Sequence, residues 1–140
     1  MRTVSKTVIG VDFGTQSARA VLVNAENGEI IYSCRKEYPY NSTPVPAIDC
    51  AENLPCATDY EMTLYELLRN VIPEEYRKTV AGICVDATSL TMVLLAEDGR
   101  ALSELDGWSE AAHARVKLWK YHRAQEKADE ALNLARNLQE

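Results

Sequence analysis

Several absences narrow the function of this 140-residue sequence before any motif is read. A basic excess is missing: 15 lysines and arginines stand against 21 aspartates and glutamates, a formal net charge of −6. With the acids scattered and no basic stripe to displace counterions from phosphates, non-specific nucleic-acid binding is disfavoured. No secretion leader is expected, because Asp12 cuts the apolar run after the weakly basic residues 1–6 within a few positions. Residues 79–96 come nearest to membrane-spanning length, but Asp86 sits among β-branched neighbours at their middle, a pattern of two buried strands. The four cysteines, Cys34, Cys50, Cys56 and Cys84, lack the paired spacing of zinc ligands and read as reduced thiols. The two histidines, His113 and His122, lie nine residues apart, about two and a half helical turns, and make a poor metal pair. No 20–50-residue repeat and no low-complexity tract is present. What remains is a chain 46% apolar and 26% charged, enough for one globular domain. A cytoplasmic protein with neither nucleic acid nor membrane as partner is expected.

Residues 7–13 (TVIGVDF) and 19–24 (RAVLVN) read as strands joined by a hairpin-length turn at Gly14-Thr15-Gln16-Ser17. Asn27-Gly28 marks a second turn, and the alternation in residues 29–38 suits a third strand, so that three antiparallel strands in meander order open the domain. Four of the five prolines fall between residues 38 and 56, in a loop too long for plain linkage and so expected to contribute to a site. Thr58 and Glu61 have capping-box spacing before a helix whose stripe is Tyr60, Leu64, Leu67, Leu68, Val71 and Ile72, ending before Pro73. Residues 79–85 and 91–96 read as strands, the second closed by the Asp98-Gly99 turn. Residues 109–140 read as one amphipathic helix without a stop signal, which suggests that the natural chain continues.

The strongest chemical signal is Asp12-Phe13-Gly14-Thr15-Gln16-Ser17-Ala18-Arg19 between two apolar strands. A glycine turn brings backbone N–H groups close to an anion, Thr15 and Ser17 add hydroxyl donors, and Arg19 adds a fixed charge. Asp12 at the strand end would repel the same anion unless a divalent cation or its bound water lies between them. An ordinary Asx-type turn is the alternative reading of these residues.

The same stretch, VDFGTQSARAV at residues 11–21, resembles the opening of the FGGY family of carbohydrate kinases. Three further segments match in the same order. AENLP at 51–55, followed by an aromatic at Tyr60, is similar to the family's segment before its first helix. GICVDATSLTM at 82–92 resembles the substrate loop written GIGVDFTACTM in the ribulokinase branch. HARVKLWKYH at 113–122, with Ala124-Gln125 after it, resembles that branch's HAYVKLWKHH.

This resemblance implies an α/β fold of the actin-like ATPase, ribonuclease H-like kind: a mixed sheet with a three-strand antiparallel meander flanked by helices. It implies that residues 1–140 are the N-terminal part of a sugar kinase, with the remainder of the lobe and the C-terminal lobe outside them. The implied cofactors are ATP and Mg2+. Asp12 would face the metal, and Gly14, Thr15, Gln16, Ser17 and Arg19 would cradle phosphates. Ser89 and Leu90 stand where glycerol kinases place an Arg-Glu pair that holds the polyol, Trp119 matches a pocket-wall tryptophan, and Lys120 and His122 lie beside it. Glu52 either closes over the substrate or caps a loop. The implied reaction moves the ATP γ-phosphoryl to a hydroxyl of a ketopentose such as ribulose, or of a related polyol. The general base and adenine pocket are expected downstream, which leaves these 140 residues inactive alone and a homodimer open for the full-length protein. Ala87 replaces the loop phenylalanine and Ser89-Leu90 replaces its Ala-Cys, so the pocket floor departs from the ribulokinase pattern. Three competing readings stay open: a non-catalytic sugar- or nucleotide-binding module, a degenerate kinase remnant, and a sugar-independent actin-like ATPase.

Overall fold

The computed structural model describes residues 6–39, 55–109, 111–119 and 125–138. Strand β1 (Thr7–Phe13) pairs antiparallel with β2 (Ser17–Asn24), which pairs antiparallel with β3 (Ile30–Glu37), as the hairpin signals require. The β2–β3 turn places Gly28 at φ 76°, and the carboxamides of Asn24 and Asn27 accept the N–H groups of Glu26 and Glu29. After β3 the chain crosses through helix α1 (Ala57–Val71) and returns as β4 (Val80–Ala87), parallel to β1, giving the sheet order β3-β2-β1-β4.

Period-two alternation divides the sheet into two faces. Ile9 and Val11 of β1 and Ala18, Ala20 and Leu22 of β2 are buried with Leu67 and Val71 of α1 and with Tyr38 in one core cluster. Tyr60 completes its upper end, with ring centroids 5.7 Å from Phe13 and 5.0 Å from Tyr38. Val8, Gly10 and Asp12 of β1 and Arg19 and Val21 of β2 alternate with those core residues and look out from the opposite face.

Three local expectations are corrected. The cap of α1 sits two residues earlier than the Thr58–Glu61 box: Cys56 is the N-cap, and the Asp59 carboxylate accepts its N–H at 2.8 Å. Residues 91–96 are not a strand, because Leu90 at φ 62° turns the chain off the sheet and only isolated bridges, Met92 with Lys117 and Leu95 with Ala101, involve that segment. The Asp98-Gly99 turn is present, with Gly99 at φ 84°. The long terminal helix is also interrupted: after a short 3-10 turn at Ala112–Ala114 the chain runs extended, and helix α2 spans Gln125–Asn137. Ala114 at the end of that turn and Val116 and Leu118 in the extended stretch are each at most 3% exposed, a period of two that overrides the helical spacing. Its backbone hydrogen bonds go to Met92 and, from the Val116 N–H, to the Pro55 carbonyl. Cys34, Cys56 and Cys84 are free thiols, and Cys50 lies outside the described residues. Among the described residues no helix is long and apolar enough to cross a membrane.

Candidate phosphate and sugar site

The β1–β2 turn is held from three sides. Across it, the Gly14 N–H donates to the Ser17 carbonyl at 3.0 Å, and a Cβ added at Gly14 would stand 3.0 Å from that same oxygen, a tight contact that would press on the turn's backbone. From β3, the Tyr38 hydroxyl donates to the Gly14 carbonyl at 2.9 Å and the Tyr38 N–H to the Gln16 carbonyl at 3.3 Å. Burial, with the neighbouring Tyr60, Asp12 and Asp59 adding to it, pushes the Tyr38 phenol far above its ordinary range, so it stays a donor. From β4, the Thr88 N–H and hydroxyl both reach the Phe13 carbonyl, at 2.9 and 3.1 Å. That anchor brings the Ser89-Leu90 turn next to the hairpin. Both residues are exposed, and Leu90 carries the one positive φ of a non-glycine residue among those described.

A fourth contact arrives from far along the sequence. The Trp119 indole N–H donates to the Thr15 hydroxyl at 3.2 Å, across 104 positions. The bridge between Met92 and Lys117 sets up this contact by seating the extended segment beside the loop after β4. Lys117 turns its ammonium back onto the Ala112 and Arg115 carbonyls, and burial lowers its pKa. Trp119 therefore lies in a turn after the extended segment rather than on a helix, and the residue is 60% exposed beside Thr15.

Around the turn lies a polar cavity of about 250 Å³ lined by Asp12, Gly14, Thr15, Gln16, Ser17, Arg19 and Arg35. It adjoins a more apolar hollow of about 320 Å³ on the open sheet face, where Asp12 and Arg19 recur with Cys84 and Asp86. Register pairs Asp12 with Arg19 on one side and with Asp86 on the other. The Thr15 hydroxyl accepts from Trp119, and the Ser17 hydroxyl accepts from Arg35 Nε at 3.0 Å. In each case the bond uses a lone pair and leaves the O–H as the donor to direct at an anion. The six expected cofactor residues thus line one cavity, and Trp119 contacts it through Thr15. Glu52, Lys120 and His122 lie outside the described residues. Two residues that the motif left out, Arg35 and Asp86, join the site through strand register. No pattern within one strand signals them, because register between strands is set by tertiary pairing.

The donor set fits a phosphate chain: a glycine turn, two hydroxyls and arginine around one cavity. Among the described residues no group of three or more His, Cys, Asp or Glu side chains could hold a metal ion. A magnesium ion does not need one, since it commonly keeps water and takes one or two carboxylates plus substrate phosphates.

No protein-family model matches the chain. Among solved structures it is similar to gluconate kinase from Lactobacillus acidophilus and to ligand-bound xylulose kinase from the same organism. Each aligns with a TM-score of 0.64 at 20% identity over 96% of this chain and 24% of the other. Hairpin, mixed sheet and crossover helix accordingly form the actin-like ATPase fold. By sequence the chain is 39% identical over 126 residues to ribulokinase 1 of Staphylococcus saprophyticus, covering 86% of this chain and 23% of that protein. It is 34% identical over 140 residues to the ribulokinase of Mycolicibacterium smegmatis, covering 93% and 25%. The chain belongs to the FGGY carbohydrate-kinase family, on its ribulokinase side. It spans about a quarter of the length of the curated relatives it matches.

Proposed function

We propose that this chain is the N-terminal part of a cytoplasmic, ATP-dependent sugar kinase that phosphorylates a hydroxyl of a ketopentose such as ribulose. One observation supports this above others: the Trp119 indole donates to Thr15, so the segment resembling the sugar-pocket wall touches the turn resembling the phosphate cradle. A transferase needs its two substrates in line and in contact, and positioning with charge stabilisation supplies most of its rate.

In this reading Gly14 opens the turn to the phosphates, Thr15, Gln16 and Ser17 donate to their oxygens, and Arg19 balances their charge. Asp12 holds the magnesium ion, which when bound screens the polyphosphate. Trp119, Ser89 and Leu90 wall the sugar side, and Glu52, Lys120 and His122 are assigned to it on the resemblance alone. The carboxylate that accepts the hydroxyl proton and the pocket for adenine are assigned to parts of the protein beyond these residues, and the 140-residue chain by itself is expected not to turn over.

The test is a coupled ADP-release assay of the full-length protein with ATP, Mg2+ and a panel of ketopentoses and polyols. Ketopentose-dependent release is expected, and Asp12→Ala is expected to abolish it while leaving the fold intact. Release without sugar would identify an ATPase instead, and none with any sugar would identify a binding module.

A further inference from the structure

We propose that Arg35 is a second guanidinium of the phosphate hairpin, binding an oxyanion of a polyphosphate chain jointly with Arg19. The proposal rests on the phosphate reading of the β1–β2 turn and extends it to a strand outside the motif. Arg35 sits on β3, and the β2–β3 register sets it directly opposite Arg19. Both side chains line the same polar cavity as Gly14, Thr15, Gln16 and Ser17.

Two like charges facing each other across a strand pair are destabilising unless something compensates them. Asp12 lies opposite Arg19 on the other flank and supplies one negative charge to the cavity, against two positive ones. Glu37 contributes little to Arg35: its carboxylate is 3.6 Å from Nη2, and the two side chains are 53% and 79% exposed. What orients Arg35 is Ser17, whose hydroxyl accepts from Nε at 3.0 Å. That bond holds the guanidinium beside the hairpin through Nε alone, so the two Nη groups, of which Nη2 has only the loose, exposed contact to Glu37, can serve as a fork, the geometry that matches phosphate oxygens in pairs. An anion between Arg19 and Arg35 relieves their repulsion and completes the set of donors. A lysine at position 35 would keep the charge and lose the fork.

The test is a titration of the 140-residue chain with inorganic tripolyphosphate at constant ionic strength, followed by nitrogen-15 NMR of the backbone amides and the arginine Nε–H groups. Wild-type protein is expected to shift the amides of residues 14–17 and the Nε–H signals of both Arg19 and Arg35. Arg35→Gln is expected to weaken binding about tenfold and Arg35→Lys about threefold, as loss of a charge-assisted pair and of its fork implies. Arg69→Gln, which removes the same charge from an exposed position on α1, is expected to leave affinity unchanged. Wild-type affinity in folded Arg35→Gln, or an equal loss in Arg69→Gln, would overturn the proposal while leaving the hairpin reading intact. Should Arg35→Gln lose its amide dispersion, unchanged affinity in Arg35→Lys overturns the proposed fork. No shift at residues 14–17 in the wild type would overturn the hairpin reading and this proposal with it.

Discussion

At the scale of single residues, the site depends on side chains that each serve two partners. Thr15 and Ser17 accept from Trp119 and Arg35 and keep their own protons for an anion, so removing either donor alters a hydroxyl that sits one bond from the ligand. For the Trp119–Thr15 pair, Trp119→Phe keeps the ring and removes the indole N–H, while Thr15→Val removes the acceptor. Chemical denaturation of both variants and their double mutant is expected to give a coupling of about 0.5–1 kcal/mol, the size of a solvent-accessible hydrogen bond. Additive losses would show that the contact carries no energy. Asp12, Gly14 and Arg19 were legible from the motif because a glycine turn beside an acid and an arginine is local chemistry. Arg35 and Asp86 were not, since each enters the site only through the strand that lies beside β2 or β1.

Among elements, the packing of α1 against the meander supports the hairpin through two tyrosines. Tyr38 closes β3 and bonds the Gly14 carbonyl, while Tyr60 from the first turn of α1 packs tilted against it and edge-on against Phe13. Burial, reinforced by the Asp59 carboxylate, raises the Tyr60 phenol from 10.0 to about 12, and burial pushes Tyr38 higher still. Because the folded values exceed the unfolded value of about 10, the folded state holds protons that the unfolded chain has lost. The stability tied to these phenols is complete below pH about 10 and is lost as pH rises toward and through about 12. Urea denaturation midpoints are expected to fall across that window, and Tyr60→Phe is expected to flatten part of the fall. A midpoint insensitive to pH up to 12 would contradict the burial of both hydroxyls. The elements themselves were readable where pattern and environment agree: strands β1 to β4 and α1 stand within about two residues of the places their periodicity indicates. Residues 91–96 and 109–119 misread for one reason. The two segments bridge each other: Met92 and Lys117 exchange both backbone hydrogen bonds, which claims the groups that a sheet strand or a helix would have used.

For the whole molecule, the sheet has an open edge. Among the described residues β4 is hydrogen-bonded on the β1 side alone, and Ile83 and Val85, which share the α1 face, remain 54% and 56% exposed. An edge with unpaired backbone groups and apolar side chains invites pairing with another chain. Sedimentation velocity of the 140-residue chain is expected to show reversible association that grows with concentration, and Val85→Lys is expected to reduce it by placing a charge on the edge. Equal association in both proteins would place the contact elsewhere.

Chain length, acidic balance, strand periodicities and the Asp12–Arg19 turn follow from residues close to one another in sequence, because turn chemistry and side-chain alternation act over a few positions. These were enough to indicate an α/β domain and a phosphate cradle. The union of that cradle with Trp119, the pairing of Arg19 with Arg35 and the nearness of Asp86 to Asp12 are long-range facts. They arise from a parallel crossover, a cross-strand register and a side-chain hydrogen bond that spans 104 positions. Such contacts depend on which elements find each other once the core closes, and no local pattern carries that information.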